Sequence, residues 1–326
     1  MNFYQNKKIL VTGGSGFIGS HLVEKLIKLK AKVTVISRRN IKTIPFLKLV
    51  KSRVKIITAD LKNQKQVDIA VKKQDYIFHL AAHVGGIHYN NIHPATLLYE
   101  NVLPALNLLQ AAKKEKNKRI LIVSSACVYP RFCKIPTPES QGFLKEPEPT
   151  NYGYGWAKRF NEIIAKTYNS EFGLKVGIVR PYNVYGPRDN FDPKQSHVIP
   201  ALVKRICDGQ NPLDVWGDGS ATRSFIFVND VVEGLLLALD KYPQADPINL
   251  GTKEEISIKD LVKLIISISG KKVKIKFDKT KPNGQPRRCC NTKKAEKILG
   301  FSTKIKLHQG LPKVVKYYQE NVQKKS

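Results

Sequence analysis

A short apolar run, Lys8-Ile9-Leu10-Val11-Thr12, leads straight into Gly13-Gly14-Ser15-Gly16-Phe17-Ile18-Gly19 and then into apolar residues at helical spacing through Leu22, Val23 and Leu26. Strand, glycine turn and helix in immediate succession constrain this chain more than any other feature it has. Glycine at positions 13, 16 and 19 lets the chain turn tightly and lets its backbone come close to a ligand. The helix that follows offers free N–H groups and the positive end of its dipole. The pattern predicts a cradle for a pyrophosphate, and hence a dinucleotide site held by Gly13, Gly16 and Gly19.

Further apolar runs at residues 32–37, 54–59, 76–80, 119–124 and 176–180 alternate with helix-like stretches such as 95–113 and 156–172. Such alternation places the chain in the α/β class, as a doubly wound parallel sheet of Rossmann type covered on both faces. After Pro181 the elements shorten and are broken by Pro, Gly and polar clusters, which predicts a smaller C-terminal α/β part that binds substrate. Residues 225–239 are the exception and read as a strand and helix returning to the first part. The expected division is 1–178 plus 224–250 for dinucleotide binding and 179–223 plus 251–326 for substrate. No repeat or low-complexity linker separates the two, so one compact unit is expected.

A chain of 326 residues with 42% apolar composition can bury a large core, and no run of 18 apolar residues suggests a membrane span. The N-terminal stretch lacks a signal-peptide pattern, so a cytoplasmic location is the default expectation. Five cysteines without CxxC spacing indicate neither a disulfide framework nor a metal site. The formal charge of +30, from 56 Lys and Arg against 26 Asp and Glu, raises nucleic acid as a partner. The basic residues are spread along the chain without a block of interleaved aromatics, so a solvated lysine-rich surface is expected instead, able to attract a diphosphate-bearing substrate.

The second strand ends Val35-Ile36-Ser37-Arg38-Arg39, without the carboxylate that would accept hydrogen bonds from an adenosine ribose. Arg38 and Arg39 suit a 2′-phosphate, which favours NADP(H), with NAD(H) as the alternative. Asp60 and Leu61, after the third strand, are expected beside the adenine. Tyr154 and Lys158 stand four residues apart and so share one helix face. The ammonium is expected to pull the phenol below its ordinary value of about 10, while Ser125 hydrogen-bonds the same substrate oxygen.

Three stretches carry a wider likeness: Ala82-His83-Val84-Gly85-Gly86-Ile87, Ser124-Ser125-Ala126-Cys127-Val128-Tyr129-Pro130, and Asn183-Val184-Tyr185-Gly186-Pro187-Arg188-Asp189-Asn190-Phe191 continuing to Ser196-His197-Val198-Ile199-Pro200. With the glycine loop and the Tyr154–Lys158 pair, they make the chain resemble the extended short-chain dehydrogenase/reductase superfamily over essentially its whole length. Within it, the chain is most similar to the GDP-L-fucose synthase group. The resemblance implies an NADP(H)-dependent epimerase-reductase acting on a GDP-linked 4-keto-6-deoxy sugar, and a homodimer paired through helices at 95–113 and 156–172. It implies that Phe17, Ile18, Ala81 and Ala82 line the cofactor, that Cys127 and His197 move protons beside the ketone, and that Asn183, Arg223 and Lys281 meet the substrate. The Gly-Gly-Ser-Gly loop is similar to that of NAD-dependent sugar epimerases, and the stretch with Ala126 resembles GDP-mannose 3,5-epimerase, which implies a redox-neutral alternative with retained NAD. A member of the fold turned to RNA binding or redox sensing without turnover is a third reading, against which the intact Ser125, Cys127, Tyr154, Lys158 and His197 set stands.

Overall fold

Ile9 and Val11 point to one side of a sheet and Leu10 to the other, and this two-residue alternation decides where the helices lie. The computed structural model describes residues 2–38, 50, 52–193, 195–281 and 285–325. Its elements run β1 (Lys8–Thr12), α1 (Phe17–Lys28), β2 (Lys32–Ser37), β3 (Val54–Thr58), α2 (Gln64–Val71), β4 (Tyr76–His79), α3 (Ile87–Ile92), α4 (Pro94–Lys114), β5 (Arg119–Val123), α5 (Tyr152–Phe172) and β6 (Val176–Pro181). They continue with β7 (Val184–Tyr185), α6 (Val198–Cys207), β8 (Leu213–Trp216), β9 (Thr222–Ser224), β10 (Ile226–Phe227), α7 (Val228–Lys241), β11 (Gln244–Leu250), β12 (Glu255–Ser257), α8 (Ile258–Ser269), β13 (Ile275–Asp278), β14 (Arg287–Arg288) and α9 (Leu307–Asn321).

Among the described residues, seven strands form one parallel sheet in the order β11-β6-β5-β4-β1-β2-β3. The fold is a doubly wound, Rossmann-type α/β sheet. Leu22, Val23 and Leu26 of α1 and Val231, Leu235 and Leu239 of α7 pack on the Ile9 and Val11 face. Val67 of α2, Leu108 of α4 and Ala165 of α5 pack on the Leu10 face. The chain leaves β1 toward β2 and β3, then crosses back to β4, so the strand order reverses beside β1. A crevice opens at the carboxyl ends of such strands, and ligands of this architecture bind there.

A further core joins α6, α8 and α9 through Ile199, Leu202, Leu261, Ile265, Leu311 and Val315, and Phe17 and Ile18 of α1 pack against it. The smaller sheets β10-β7, β12-β9-β14 and β13-β8 surround it. No helix among the described residues is long and apolar enough to cross a membrane.

Two sequence expectations need correction. The strand in residues 225–239 does not return to the main sheet, because β10 pairs with β7, and only the helix α7 returns. The strand that joins is β11, masked in the sequence because Ala245, at φ +54°, and Pro247 break its alternation and shift its register on β6. Likewise α5 begins at Tyr152 rather than 156, which sets Tyr154 in the helix's first turn.

Candidate active site

Gly13 adopts φ +70°, and a Cβ there would lie 2.7 Å from the Ala81 nitrogen, so only glycine lets this turn sit against the end of β4. A Cβ on Gly19 would lie 2.1 Å from the Gly13 oxygen, which draws the start of α1 onto the turn. The amides of Phe17, Ile18 and Gly19 fall in the first helical turn, where a helix offers them no internal acceptor. Thr12 Oγ1 accepts from the Ala81 amide at 3.2 Å and lies 2.8 Å from Nδ1 of His79, tying the ends of β1 and β4 together. Burial, with Lys158 nearby, drops the His79 imidazole to about 3, so this hinge of the crevice is neutral. The cradle fits a dinucleotide pyrophosphate: its glycines occupy space a side chain would fill.

Toward the other end of the crevice, Arg38 extends from β2 with its guanidinium exposed, 3.9 Å from Glu100 of α4. Arg39 lies outside the described residues. Asp60 is fixed by the Lys62 amide at 3.0 Å, and the buried Leu61 offers its carbonyl to Asn107 at 3.0 Å. Ala82 is exposed at the rim.

Ser125, Cys127, Tyr154 and Lys158 come together where β5 ends against α5. Ser125 Oγ accepts from the Cys127 amide at 3.1 Å and is hydrogen-bonded to the Tyr154 hydroxyl. Cys127 acts electrostatically on both Tyr154 and Lys158. Tyr154 does not behave as the sequence predicts: burial, reinforced by Cys127, pushes its phenol well above the ordinary value, and the Ser125 hydrogen bond offsets only part of this. The reason is geometric. Lys158 Nζ donates to the Val123 carbonyl at 2.8 Å and lies 5.5 Å from the Tyr154 ring centre, so no hydrogen bond from it draws the resting phenol down, while burial brings its own ammonium to about 8.

A rigid frame stands behind this group. Ser124 donates to Glu162 at 2.5 Å, and Arg180 grips both Glu162 oxygens at 2.8 and 2.6 Å. Arg180 also donates to Tyr129, whose hydroxyl donates to Asn249 at 2.6 Å. One buried, fully paired network thus pins β5, α5, β6 and β11 beside Ser125; losing one partner of such a pair costs about 3–5 kcal/mol.

A second group forms around His197, the residue that precedes α6. β9 and β14 run side by side with Arg223 opposite Arg288. Burial and Arg288 bring the Arg223 guanidinium down to about 10, and burial with the same Arg288 holds the His197 ring below its ordinary value. Burial and the Arg288 charge thus both favour the neutral ring at His197. Arg287 points the other way into a forked pair with Glu255, at 2.8 and 2.7 Å. Arg288 was missed in the sequence, although two-residue alternation in Arg287-Arg288 puts one arginine on each face of a strand. Asn183, at φ +34°, donates to the Ser224 carbonyl at 2.8 Å and so braces β9 from below. Lys281 stands exposed on the turn after β13, joined by its amide to Asp278 at 3.2 Å, and no hydrogen bond among the described residues ties it to Arg223 or Arg288.

The chain has relatives among known proteins. The profile of the NAD dependent epimerase/dehydratase family matches residues 9–251. The chain is similar to GDP-L-fucose synthase 1 of Arabidopsis thaliana, 33% identical over 98% of this chain and 95% of that one. It is also similar to dTDP-4-dehydro-6-deoxy-D-allose reductase of a Streptomyces species, 30% identical over 97% of each. Among solved structures it resembles UDP-glucose 4-epimerase of Thermotoga maritima, with a TM-score of 0.87, 28% identity, and coverage of 97% of this chain and 99% of that one.

Proposed function

The chain belongs to the NAD dependent epimerase/dehydratase family, and from that premise we propose that it is an NADPH-dependent epimerase-reductase converting a GDP-4-keto-6-deoxyhexose, of the GDP-4-keto-6-deoxy-mannose type, to GDP-L-fucose or a related GDP-sugar. The observation that carries this reading is the gathering of Cys127 with Ser125 and the Tyr154–Lys158 pair at the end of β5, where a thiol for proton transfer stands beside the pair that would serve reduction. The similarity to GDP-L-fucose synthase supports the GDP-sugar. Gly13, Gly16, Gly19 and the amides of Phe17 and Ile18 would hold the pyrophosphate, Arg38 and Arg39 the 2′-phosphate, Asp60 and Leu61 the adenine, and Ala81 and Ala82 the nicotinamide half. NADPH, when bound, supplies the hydride for C4. NAD(H) is the alternative carrier.

The C4 ketone acidifies the hydrogens at C3 and C5, and inversion removes each proton on one face and returns one on the other. Cys127 and His197 are the residues for these transfers. A diphosphate held by Arg223 and Arg288 would offset the cationic field on His197, so that binding substrate raises the ring's affinity for a proton. Tyr154, kept as a phenol, then gives its proton to the C4 oxygen, while Lys158 and Ser125 steady the charge left behind. The sheet membership of β11 supports dividing the chain into a dinucleotide-binding part, 1–178 plus 224–250, and a substrate part, 179–223 plus 251–326.

Mixing purified protein, NADPH and GDP-4-keto-6-deoxy-mannose should give stoichiometric loss of the reduced nicotinamide absorbance and a GDP-fucose product. Cofactor binding with no oxidation, but with solvent deuterium entering C3 or C5, would replace this reading with a redox-neutral epimerase.

We also propose a homodimer. Tyr152, Phe160 and Ile163 of α5 and Tyr99 and Leu106 of α4 are exposed on helices that pack side by side, and two copies would cover this apolar face. Light scattering should give twice the chain mass, and Phe160→Asp should bring it to the monomer value. A monomeric unmodified protein would remove the proposal.

A further inference from the structure

Arg159 follows Lys158 on α5 and is only 2% exposed. Burial and the neighbouring Arg180 charge weaken its hold on a proton, Glu162 and Glu146 act the other way through space, and its guanidinium donates to backbone carbonyls. Nε and Nη2 both reach the Val128 oxygen, at 2.9 and 2.7 Å, and Nη2 also reaches the Lys145 oxygen at 2.5 Å. The planar group lies near two aromatic rings, 5.0 Å from the centre of Trp156 and 5.3 Å from that of Phe143. Burying a cation this deeply is costly, and partially charged carbonyls are weaker compensation than a carboxylate.

Val128 closes the 3-10 turn Ala126–Val128 that presents Cys127. The turn's own bonds are long: Val128 N to Ser125 O and Tyr129 N to Ala126 O both measure 3.3 Å. Short 3-10 turns have poor hydrogen-bond geometry and hold position badly without outside help. One turn earlier on the same face of α5, the helix touches the turn directly, since a Cβ on Gly155 would lie 2.7 Å from the Cys127 oxygen.

We infer that Arg159 is a positioning residue for Cys127: it clamps the Cys127 turn onto the helix that carries Tyr154 and Lys158, and so fixes the thiol relative to the reducing pair. The role assigned to the thiol rests on the function proposed above. The clamp itself is a statement about geometry that thiol chemistry can read without substrate.

The test compares Arg159→Met, which keeps length and ring contacts but loses every donor, with Arg159→Lys, which keeps one point donor but cannot fork to two carbonyls. Three quantities are measured: iodoacetamide alkylation of Cys127 followed by peptide mass spectrometry, deuterium exchange at C3 and C5 of GDP-4-keto-6-deoxy-mannose, and NADPH binding by fluorescence. A displacement of the thiol by about an ångström should lower exchange about a hundredfold in Arg159→Met. Its Cys127 alkylation rate should change, its NADPH affinity should stay within about twofold, and Arg159→Lys should fall between it and the unmodified protein. Folded Arg159→Met with unmodified alkylation and exchange would overturn the inference. If Arg159→Met fails to fold, Arg159→Lys decides on the same two readouts. Undiminished exchange in Cys127→Ala would overturn the proposed function instead, and the alkylation rates would still decide the clamp.

Discussion

Cys127→Ala should stop solvent deuterium from entering C3 and C5 of GDP-4-keto-6-deoxy-mannose, a fall of about three orders of magnitude if the thiol is one of the two proton-transfer groups. The cause is local. Cys127 is half-buried in a turn braced by Ser125 Oγ and pressed against α5, and no other acid or base on that turn could take its place. His197→Gln should give a comparable loss of inversion at both C3 and C5, since each carbon needs a proton-transfer group on either face. Reduction at C4 should outlast both changes, giving an unepimerised product, because Tyr154, Lys158 and Ser125 are untouched. Normal exchange in both variants would remove Cys127 and His197 from the chemistry and with them the epimerase half of the proposed function.

Tyr154→Phe should have the complementary effect, cutting NADPH oxidation by about a thousandfold while deuterium still enters C3 and C5. The phenol is held in its protonated form by burial, so what the variant loses is a donor poised for the C4 oxygen. The pH dependence follows from Lys158. Its value is lowered to about 8, so the ammonium is present below that pH and lost above it. Reduction should therefore stay level toward neutral pH and decline as pH rises through about 8, the side on which Lys158 no longer steadies the phenolate left by proton donation. Linkage to stability has a defined sign too: below about 8 the native state carries a buried cation it would rather shed, and that penalty eases as pH rises toward the unfolded-state value. Lys158→Met should abolish the alkaline decline along with most of the activity. A Tyr154→Phe variant that oxidises NADPH at the unmodified rate would show that another group protonates C4.

The parts of this site that could be read in the sequence are those set by near neighbours. Gly13 and Gly19 act within seven residues of each other, and Tyr154 and Lys158 within one helical turn, so their spacing already states their geometry. The parts that could not be read depend on contacts made far along the chain. The upward shift of Tyr154 comes first from burial by elements that pack on it from elsewhere in the chain, while Lys158 spends its hydrogen bond on Val123, 35 residues away. The bias on His197 comes from Arg288, which reaches it only because β14 lies beside β9. β11 escaped notice because a local break in alternation concealed a strand whose partner, β6, fixes it from outside. Arg38 was legible as a cation at the end of β2 suited to a 2′-phosphate, but its neighbour Glu100 comes from α4 and could not be inferred from the second strand alone.

The placing of β11 at the border of the sheet has a consequence for how the chain is made. β6 is buried from Val176 to Arg180 and carries no polar side chain before Arg180, and β11, its outer neighbour, is complete only at Leu250. A ribosome adding about 5–20 residues per second needs roughly 3–14 seconds to cover that interval. Throughout it, the nascent sheet ends in an open apolar strand, able to pair with any extended segment that it meets. The vulnerable moment in the life of this molecule is thus a matter of timing on the ribosome, over before its finished, lysine-covered surface exists.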